Sequence, residues 1–461
     1  MKIKIQLVID GENQSVTEDV FCLERQELSA ETLGMTLEES KAINSEIQKK
    51  MVDHQIKAFL THNRFCPCCG KVCSFKGYHT LDYRTLFGKL CLISPRLLAC
   101  ACQPSAQSSF SPLTSILAEH ISPELSYLES KWASLMSYGM TVKLLEDVLP
   151  LKAHPASVIH TVQKVSERLE AELGEERPIF IEGCQRDWDQ LPRPDTLIVV
   201  SLDGGYIHAR EGTNRKAGWF EAIVGKSLQE GHESRRFGYV TDYDTKPTRR
   251  LYEMLNKQGL QMNQELTFLT DGGDNVRSLP LYLSPRSEHF LDWFHITMKI
   301  TVIKQMSKNT LGKKYEDFEK KFERIKWFIW HGNVFQALQL LDSCVFDLES
   351  EDEEKEQKND KLYKQVEEFY QYIQVNSTFI PNYADRYNHG ETISSSIAES
   401  TVNELISKRM AKKQQMRWTK KGAHLLLQVR IKTIDHALRP SFEKWYPNMR
   451  RKQAKLLPLA A

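Results

Sequence analysis

Two aspartates stand where α/β enzymes keep their ligand sites. Asp203 follows the apolar, β-branched run Thr196–Leu202, Asp271 follows the run Glu265–Thr270, and each aspartate is followed by two glycines. Charged groups at the ends of buried strands escape the core yet stay rigidly held, and paired glycines let a substrate approach the backbone closely. Most Asp-Gly pairs are ordinary turns. Two of them in one α/β domain, each after a buried strand, favour a functional site.

A third carboxylate, Glu399, lies in the helical segment Ser394–Met410, where it shares a helix face with Val402 and Ile406. A carboxylate on an apolar stripe needs a partner or a metal because burying it alone is costly. A salt bridge to a neighbouring Lys or Arg is the alternative. Two aspartates and a glutamate together suit two Mg²⁺ or Mn²⁺ ions about 4 Å apart, the arrangement used for phosphodiester chemistry. Hard cations select carboxylate oxygens for such sites.

Downstream of Glu399, the stretch Lys408–Lys421 has many basic residues and no acidic one. Beside a phosphodiester site, such a stretch with an aromatic residue would follow a nucleic-acid backbone. A basic helix end favoured by the helix dipole is the alternative. The predicted DNA-binding residues are Lys408, Arg409, Lys412, Lys413, Arg417, Trp418, Lys420 and Lys421.

The cysteines predict a second metal site. Seven of the ten lie between Cys66 and Cys102, which in a long chain without a secretion signal favours a metal over disulfides. The knuckle Cys66-Pro67-Cys68-Cys69-Gly70 and the pair Cys100-Ala101-Cys102 predict a closed structural zinc site. Its predicted ligands are Cys66, Cys69, Cys100 and Cys102, with Cys68, Cys73 or His79 as possible replacements for one of them. A group of buried free thiols is the alternative.

Four motifs together resemble the DDE transposases of bacterial insertion sequences. They are LIVVSLDGGYIHAR, TFLTDGGDNVRSL, HFLDWFHITMK and SSSIAESTVNELISKRMAKKQQMRW with the following GAHLLLQVR. The chain most resembles the Kra-type (ISKra) group, which is distantly similar to Mutator-like transposases. The resemblance implies an α/β, ribonuclease H-like catalytic core with an α-helical insertion between the second aspartate and the glutamate. It also implies an N-terminal zinc ribbon that helps bind the element ends.

Carried over to this chain, the resemblance implies a catalytic triad of Asp203, Asp271 and Glu399. Asp292 and His295 match the (Cys/Asp)-x-x-His motif of those relatives and are predicted to support the catalytic core. A structural hydrogen-bonded pair or a helix start is the alternative for them. Asp274 is a rival for the second position, and Asp271 is preferred because it ends the strand.

The elements that must position these residues fall into seven segments. We predict an N-terminal strand and helix region (1–62), a zinc ribbon (63–105), a helical, helix-turn-helix-like DNA-binding region (106–175), the first part of the core (195–300), an α-helical insertion (301–384), the Glu-bearing helix with the helix after it (385–440), and a basic C-terminal tail (441–461). The helix-turn-helix is predicted from Thr141–Leu149, the turn Pro150–Pro155 and Ala156–Leu169. Many helix pairs of this kind do not contact DNA.

The composition sets the class of protein. The 461 residues are 41% hydrophobic and 26% charged, and 62 Lys and Arg against 60 Asp and Glu give a net charge of +2. This balance excludes a wholly basic, histone-like protein and an acidic disordered chain. No apolar run approaches the roughly 18 residues of a membrane helix. The first ten residues alternate like a strand and do not resemble a secretion signal, so a cytoplasmic, nucleoid-associated bacterial protein is expected.

These observations predict a DDE-type transposase that cuts and joins DNA at insertion-sequence ends by two-metal phosphodiester hydrolysis and strand transfer. The expected partners are the terminal inverted repeats and target DNA. Because two element ends must be joined, a homodimer or a larger synaptic assembly is expected. The alternatives are a metal-dependent, structure-selective DNA nuclease and a catalytically inactive, transposase-derived DNA-binding protein.

Overall fold

The computed structural model describes residues 1–10, 15–66, 69–100, 102, 109–210, 218–280, 282–312, 315–352, 360–394, 400–411 and 416–450. They form two compact units. One contains Met1–Val165 together with residues 436–450, and the other contains Ser166–Asp435. None of the described helices combines the length and apolar character needed to cross a bilayer.

The first unit starts with an antiparallel hairpin of β1 (Lys2–Asp10) and β2 (Ser15–Glu24), followed by the long helix α1 (Leu37–His62). A capping box fixes the start of α1. The Thr36 hydroxyl accepts a hydrogen bond from the Glu39 N–H at 3.2 Å, and the Glu39 carboxylate accepts one from the Thr36 N–H at 2.9 Å. Each bond satisfies a backbone donor at this end of α1.

A second small sheet follows in the order β3-β4-β5, with all pairs antiparallel. Its strands are β3 (Phe75–Thr85), β4 (Gly88–Leu98) and β5 (Ser109–Phe110). One face packs apolar side chains against α1. This hairpin connects the two predicted pairs of zinc ligands.

The rest of the first unit is helical. The helices are α2 (Pro112–Ile116), α3 (Pro123–Leu135), α4 (Tyr138–Val148), α5 (Pro155–Glu172) and the later α16 (Leu438–Trp445). The predicted helix pair corresponds to α4 and α5. The buried Glu129 of α3 joins the neighbouring elements, because its carboxylate accepts hydrogen bonds from Arg84 of β3 and, at 2.7 Å, from Thr161 of α5.

The second unit is built on a mixed five-stranded sheet of order β10-β9-β6-β7-β8. Its strands are β6 (Ile198–His208), β7 (Trp219–Leu228), β8 (Arg236–Val240), β9 (Leu266–Thr270) and β10 (Ser287–Leu291). The pairs β6–β7 and β7–β8 are antiparallel, whereas β9 runs parallel to both β6 and β10. The predicted mixed α/β domain is confirmed.

Helices flank both faces of this sheet. The short helix α6 (Gln185–Asp189) precedes it. Apolar side chains of α7 (Pro247–Gln258) and α8 (Asp274–Arg277) pack with Ile198, Val200 and Leu202 of β6. A second apolar cluster includes Val199 and the helical residues that follow β10. Those helices are α9 (Trp293–Thr310), α10 (Tyr315–Trp330), α11 (Val334–Asp352), α12 (Asp360–Val375) and α13 (Tyr383–Asn388).

Two further helices complete the unit: α14, which spans residues 400–411 and is a π-helix over Asn403–Ala411, and α15 (Lys420–Ile434). Helix α14 packs against β6 at Gly205. A Cβ atom at this position would come within 2.7 Å of Ile406 Cδ1 and 2.9 Å of Val402 Cγ1. Glycine at 205 is therefore what allows α14 to lie so close to the strand.

Candidate active site and metal centre

The sheet register places three aspartates in one row. Leu202 of β6 pairs with Thr270 of β9, and Thr270 pairs with Leu291 of β10. The next residues along these strands are Asp203, Asp271 and Asp292. Because neighbouring strands lie about 4.8 Å apart and equivalent positions of paired strands point to the same face, the row presents three carboxylates side by side.

Each aspartate of this row is held by a local backbone hydrogen bond. The Asp203 carboxylate accepts the Gly204 N–H at 2.8 Å, and the Asp271 carboxylate accepts the Gly273 N–H at 2.9 Å. Asp292 caps α9, because its carboxylate accepts the Phe294 N–H at 2.9 Å. These bonds fix the carboxylates before any ligand binds.

The electrostatics of the row agree with its geometry. Burial raises the pKa of Asp203 to about 6, and the negative charges of Asp271 and Asp292 act in the same direction, while His295 opposes them. A carboxyl group with neighbouring like charges and a raised pKa is typical of sites that bind a cation. Asp203, Asp271, Asp292 and His295 thus share one electrostatic environment.

Asp274, the rival for the second position, lies apart from the row. It begins α8, its side chain is 88% exposed, and it forms an ion pair with Arg277. A carboxylate that faces solvent with its own counter-ion is poorly placed to share a ligand with Asp203. The geometry supports the choice of Asp271.

Asp292 has a more central position than the sequence interpretation gave it. The sequence predicts that it supports the core, but the register puts it in the same row as Asp203 and Asp271. The available signal was the stretch His289-Phe290-Leu291 before it, a third apolar strand that ends in an aspartate. That strand is short and was not recognised from its pattern.

Glu399 lies outside the described residues. The helix that follows it is described, and its Val402 and Ile406 side chains lie against Gly205. Gly205 is two residues after Asp203 on β6, so both positions belong to the same face of the sheet. The face of α14 that carries Val402 and Ile406 therefore packs on the face of β6 to which Asp203 belongs.

The predicted DNA-binding residues of α14 and of the segment after it fall into three groups. Lys412 and Lys413 lie outside the described residues. The exposed members are Lys408, Arg417, Lys420 and Lys421. Lys420 forms an ion pair with Asp242 at 2.7 Å, and Lys421 forms one with Glu167 at 3.0 Å.

Arg409 and Trp418 correct the prediction of an exposed DNA-binding stretch. Arg409 is completely buried, Trp418 is 4% exposed, and the guanidinium lies 5.2 Å from the centre of the indole ring. The Trp418 backbone extends β6, since its N–H donates to the His208 carbonyl at 2.9 Å and its carbonyl accepts the Arg210 N–H at 2.9 Å. Because both side chains are buried, they are not available to a DNA backbone. Trp418 fixes the segment beside β6, and Arg409 packs on its ring.

Two tyrosines of the helices after β10 donate hydrogen bonds to the backbone of the strand ends that carry the row. The Tyr372 hydroxyl donates to the Asp271 carbonyl at 2.8 Å, and the Tyr383 hydroxyl donates to the Leu291 carbonyl at 2.9 Å. Burial raises the pKa of both hydroxyls, so each stays protonated as a donor. No sequence pattern identified these tyrosines, because the contacts join residues about a hundred positions apart.

The predicted zinc ligands come together in the first unit. The sulfur atoms of Cys66, Cys69, Cys100 and Cys102 all lie within 4.8 Å of one another, and the Cys66–Cys102 and Cys69–Cys100 pairs are each 3.5 Å apart. A tetrahedral Zn²⁺ with Zn–S bonds of about 2.3 Å spaces its sulfurs roughly 3.8 Å apart, so this donor set fits zinc.

The knuckle has the hydrogen bonds that such a site needs. The Gly70 N–H donates to the Cys66 carbonyl at 2.9 Å, and the Cys66 N–H donates to the Lys71 carbonyl at 2.8 Å. Gly70 has a φ of 68°, a conformation that favours glycine. Of the possible replacements, Cys73 and His79 are not members of the cluster, and Cys68 lies outside the described residues.

A second group of possible ligands, Glu170, Asp244 and His424, was not anticipated from the sequence. The guanidinium of Arg250 occupies its centre. It donates to both Glu170 oxygens at 2.9 and 2.8 Å and to both Asp244 oxygens at 2.9 and 3.0 Å. Burial alone would raise the pKa of Glu170, but hydrogen bonds from His424 and Arg250 lower that pKa to about 2. Arg250 thus already supplies the positive charge, and the group is a buried ion network.

This network leads to a stability prediction. Arg250→Met is expected to lower the free energy of unfolding by about 3–5 kcal/mol, because it leaves two carboxylates buried without their counter-ion. Urea unfolding at neutral pH measures the change. Lys257→Met is the control, since Lys257 pairs with Glu253 at the surface and its loss should cost under about 1 kcal/mol. Equal effects of the two substitutions would contradict the assignment.

Comparison with protein-family models and with curated proteins found no match. Among solved structures, the chain is similar to a Drosophila P element transposase strand transfer complex, at 10% identity and a TM-score of 0.24, over 70% of this chain and 80% of that one. It is similar to NurA at 14% identity and a TM-score of 0.10, over 50% of this chain and 64% of that one. For NurA with manganese the identity is 14% and the TM-score 0.11, over 62% and 65% of the chains. All three TM-scores lie below 0.5, too low to indicate a shared function.

Proposed function

We propose that this chain is a DDE-type transposase whose ribonuclease H-like core cuts and joins DNA. The order of the five strands supports the core assignment: three antiparallel strands are extended by two strands parallel to the first. The observation that carries the function is the row of Asp203, Asp271 and Asp292 across three neighbouring strands. We propose DNA as the substrate because the sequence motifs resemble those of Kra-type transposases.

The donor set of this row fits divalent cations. Its three carboxylates have the hard oxygen donors that Mg²⁺ and Mn²⁺ prefer, and about 4.8 Å between strands suits two ions about 4 Å apart. We assign the metal-holding role to Asp203, Asp271 and Glu399, with Asp292 beside them. Two bound cations would supply an activated water or 3′-hydroxyl and a stabilised leaving oxygen.

The remaining residues of the site position these groups and the substrate. Tyr372 and Tyr383 fix the backbone at two of the strand ends, and His295 lies close enough to Asp203 to affect its pKa. We propose that Lys408, Arg417 and the segment containing Lys412 and Lys413 contact DNA phosphates. The zinc-binding hairpin and the α4–α5 pair are proposed to bind the element ends.

One assay tests the proposal. The purified chain is incubated with Mg²⁺ or Mn²⁺ and a DNA that carries candidate inverted-repeat ends. Joined products support transposition. Cleavage without joining would favour a nuclease, and binding without cleavage would favour an inactive DNA-binding protein; either result would overturn the proposed function.

The contact between the helical region and the row yields a separate prediction. Tyr372→Phe is expected to slow cleavage about two- to tenfold, because the Asp271 carbonyl loses a hydrogen bond worth ~0.5–1.5 kcal/mol. Single-turnover rates at saturating metal measure this change. Tyr370→Phe on the same helix is the control and should leave the rate within about twofold of wild type. Indistinguishable rates for the two variants would remove Tyr372 from the site.

A further inference from the structure

The N-terminal hairpin has two open edges, one along β1 and one along β2. Among the described residues, β1 pairs with β2 and with no other strand. A two-stranded hairpin is marginally stable by itself in water, and a long unpaired edge is a template for another strand. The register with β2 shifts between Ile5 and Gln6, and the extra residue, Val20, lies on β2. The backbone of β1 therefore remains regular and available for pairing.

The apolar side chains of β1 also favour a binding partner. Ile3, Ile5, Leu7 and Ile9 share one face of the strand, and the other face is polar except for Val8. Ile3 is 40% exposed, and beside it Leu28 and Leu33 are 83% and 72% exposed. Ile3, Leu28 and Leu33 line a cavity of about 500 Å³ together with Met1 and Leu23. An apolar strip along an open edge is typical of a docking surface.

The order of residues in β1 identifies the partner. The strand reads Lys-Ile-Lys-Ile-Gln-Leu-Val-Ile-Asp, with Gln6 at its centre. Antiparallel pairing of two such strands about Gln6 sets Lys2 opposite the partner's Asp10, Ile3 opposite the partner's Ile9, and Ile5 opposite the partner's Leu7. Parallel pairing would instead set lysine against lysine and aspartate against aspartate, which is unfavourable.

We propose that β1 pairs with β1 of a second copy of this chain. The two hairpins then form a four-stranded antiparallel sheet with a two-fold axis at Gln6. Such an isologous interface closes on itself and limits the assembly to a dimer. The apolar residues of both β1 strands become a continuous face, and the Lys2–Asp10 pairs at its two ends set the register.

The dimer is independent of the chemistry proposed above, although that chemistry needs two element ends in one assembly. Its test therefore uses no DNA and no divalent cation. Failure of the dimer would leave the proposed active site untouched, and failure of cleavage would leave the dimer untouched.

Charge reversal tests the interface by sedimentation of the full chain. Asp10→Lys sets Lys2 against a lysine at both ends of the interface. The double variant Lys2→Asp with Glu24→Lys sets two aspartates opposite each other at both ends. Within the hairpin, Lys2 and Glu24 form an ion pair at 2.9 Å, and the double substitution preserves this pair with its charges exchanged. Each variant alone is expected to dimerise at least about tenfold more weakly than wild type. An equimolar mixture of the two should recover wild-type affinity, since opposite charges then meet at both ends.

Asp53→Lys, which reverses an exposed charge on α1, is the control and should dimerise like wild type. Circular dichroism of each variant reports that the hairpin and helices are retained. A wild-type chain that stays monomeric, an Asp10→Lys variant that dimerises normally, or a mixture that fails to recover would each overturn the proposal.

Discussion

Asp203→Asn is expected to abolish DNA cleavage and joining, with a rate loss of at least about a thousandfold. The substitution keeps the shape of the side chain but removes a charge that holds the cations, which costs several kcal/mol of transition-state stabilisation. Single-turnover cleavage with Mg²⁺ measures the loss. Asp271→Asn should behave in the same way, since the register places Asp271 beside Asp203.

Asp274→Asn is the matched control for these variants. Asp274 is three residues from Asp271, but its exposed side chain pairs with Arg277. Its neutralisation should leave the rate within about threefold of wild type, the range expected for a surface change. A severe loss in this variant, or near-normal activity of Asp203→Asn, would contradict the proposed site.

The same Asp203→Asn variant is expected to be more stable than wild type when a chelator is present. Folding raises the pKa of Asp203 from 3.8 to about 6, so the folded state loses stability as the pH rises through this interval. At pH 7.5 the full cost of the buried charge is present, and asparagine relieves it. One pKa unit corresponds to about 1.4 kcal/mol, which gives an upper limit of about 3 kcal/mol. Thermal unfolding at pH 7.5 and pH 4 should show a gain only at the higher pH, which separates lost activity from lost folding.

Disruption of the proposed zinc site is expected to have the second largest effect. Cys100→Ser breaks a four-sulfur site, and structural zinc sites contribute ~10–16 kcal/mol in zinc-finger peptides. We expect the wild-type chain to bind one zinc and the variant to lose it, together with the amide protection over residues 64–102. Elemental analysis and hydrogen exchange measure the two changes.

Cys91→Ser provides the control for the zinc site. Cys91 is an exposed cysteine of β4 outside the cluster. It should retain one zinc and normal exchange, and so should Cys73→Ser. Full zinc content in Cys100→Ser would contradict the ligand set.

Short-range patterns in the sequence located most of the candidate site residues. Asp203 and Asp271 could be found because each ends a buried strand, and a strand end is visible from neighbouring residues. The four clustered cysteines were visible because a zinc knuckle needs closely spaced cysteines and a turn glycine such as Gly70. The helix pair α4–α5 was also predictable, since capping and helical periodicity act within a few residues.

Long-range contacts decided which of these residues belong together and which face solvent. Asp292 enters the row only through the register of β9 with β10. Trp418 is buried where its backbone pairs with the end of β6, and the buried Arg409 packs on its ring. Tyr372 and Arg250 acquire their roles from partners far away in the chain. The sequence alone determined the types of groups and their local settings. Only the tertiary structure decided their neighbours, because burial and strand pairing depend on residues that no local pattern contains.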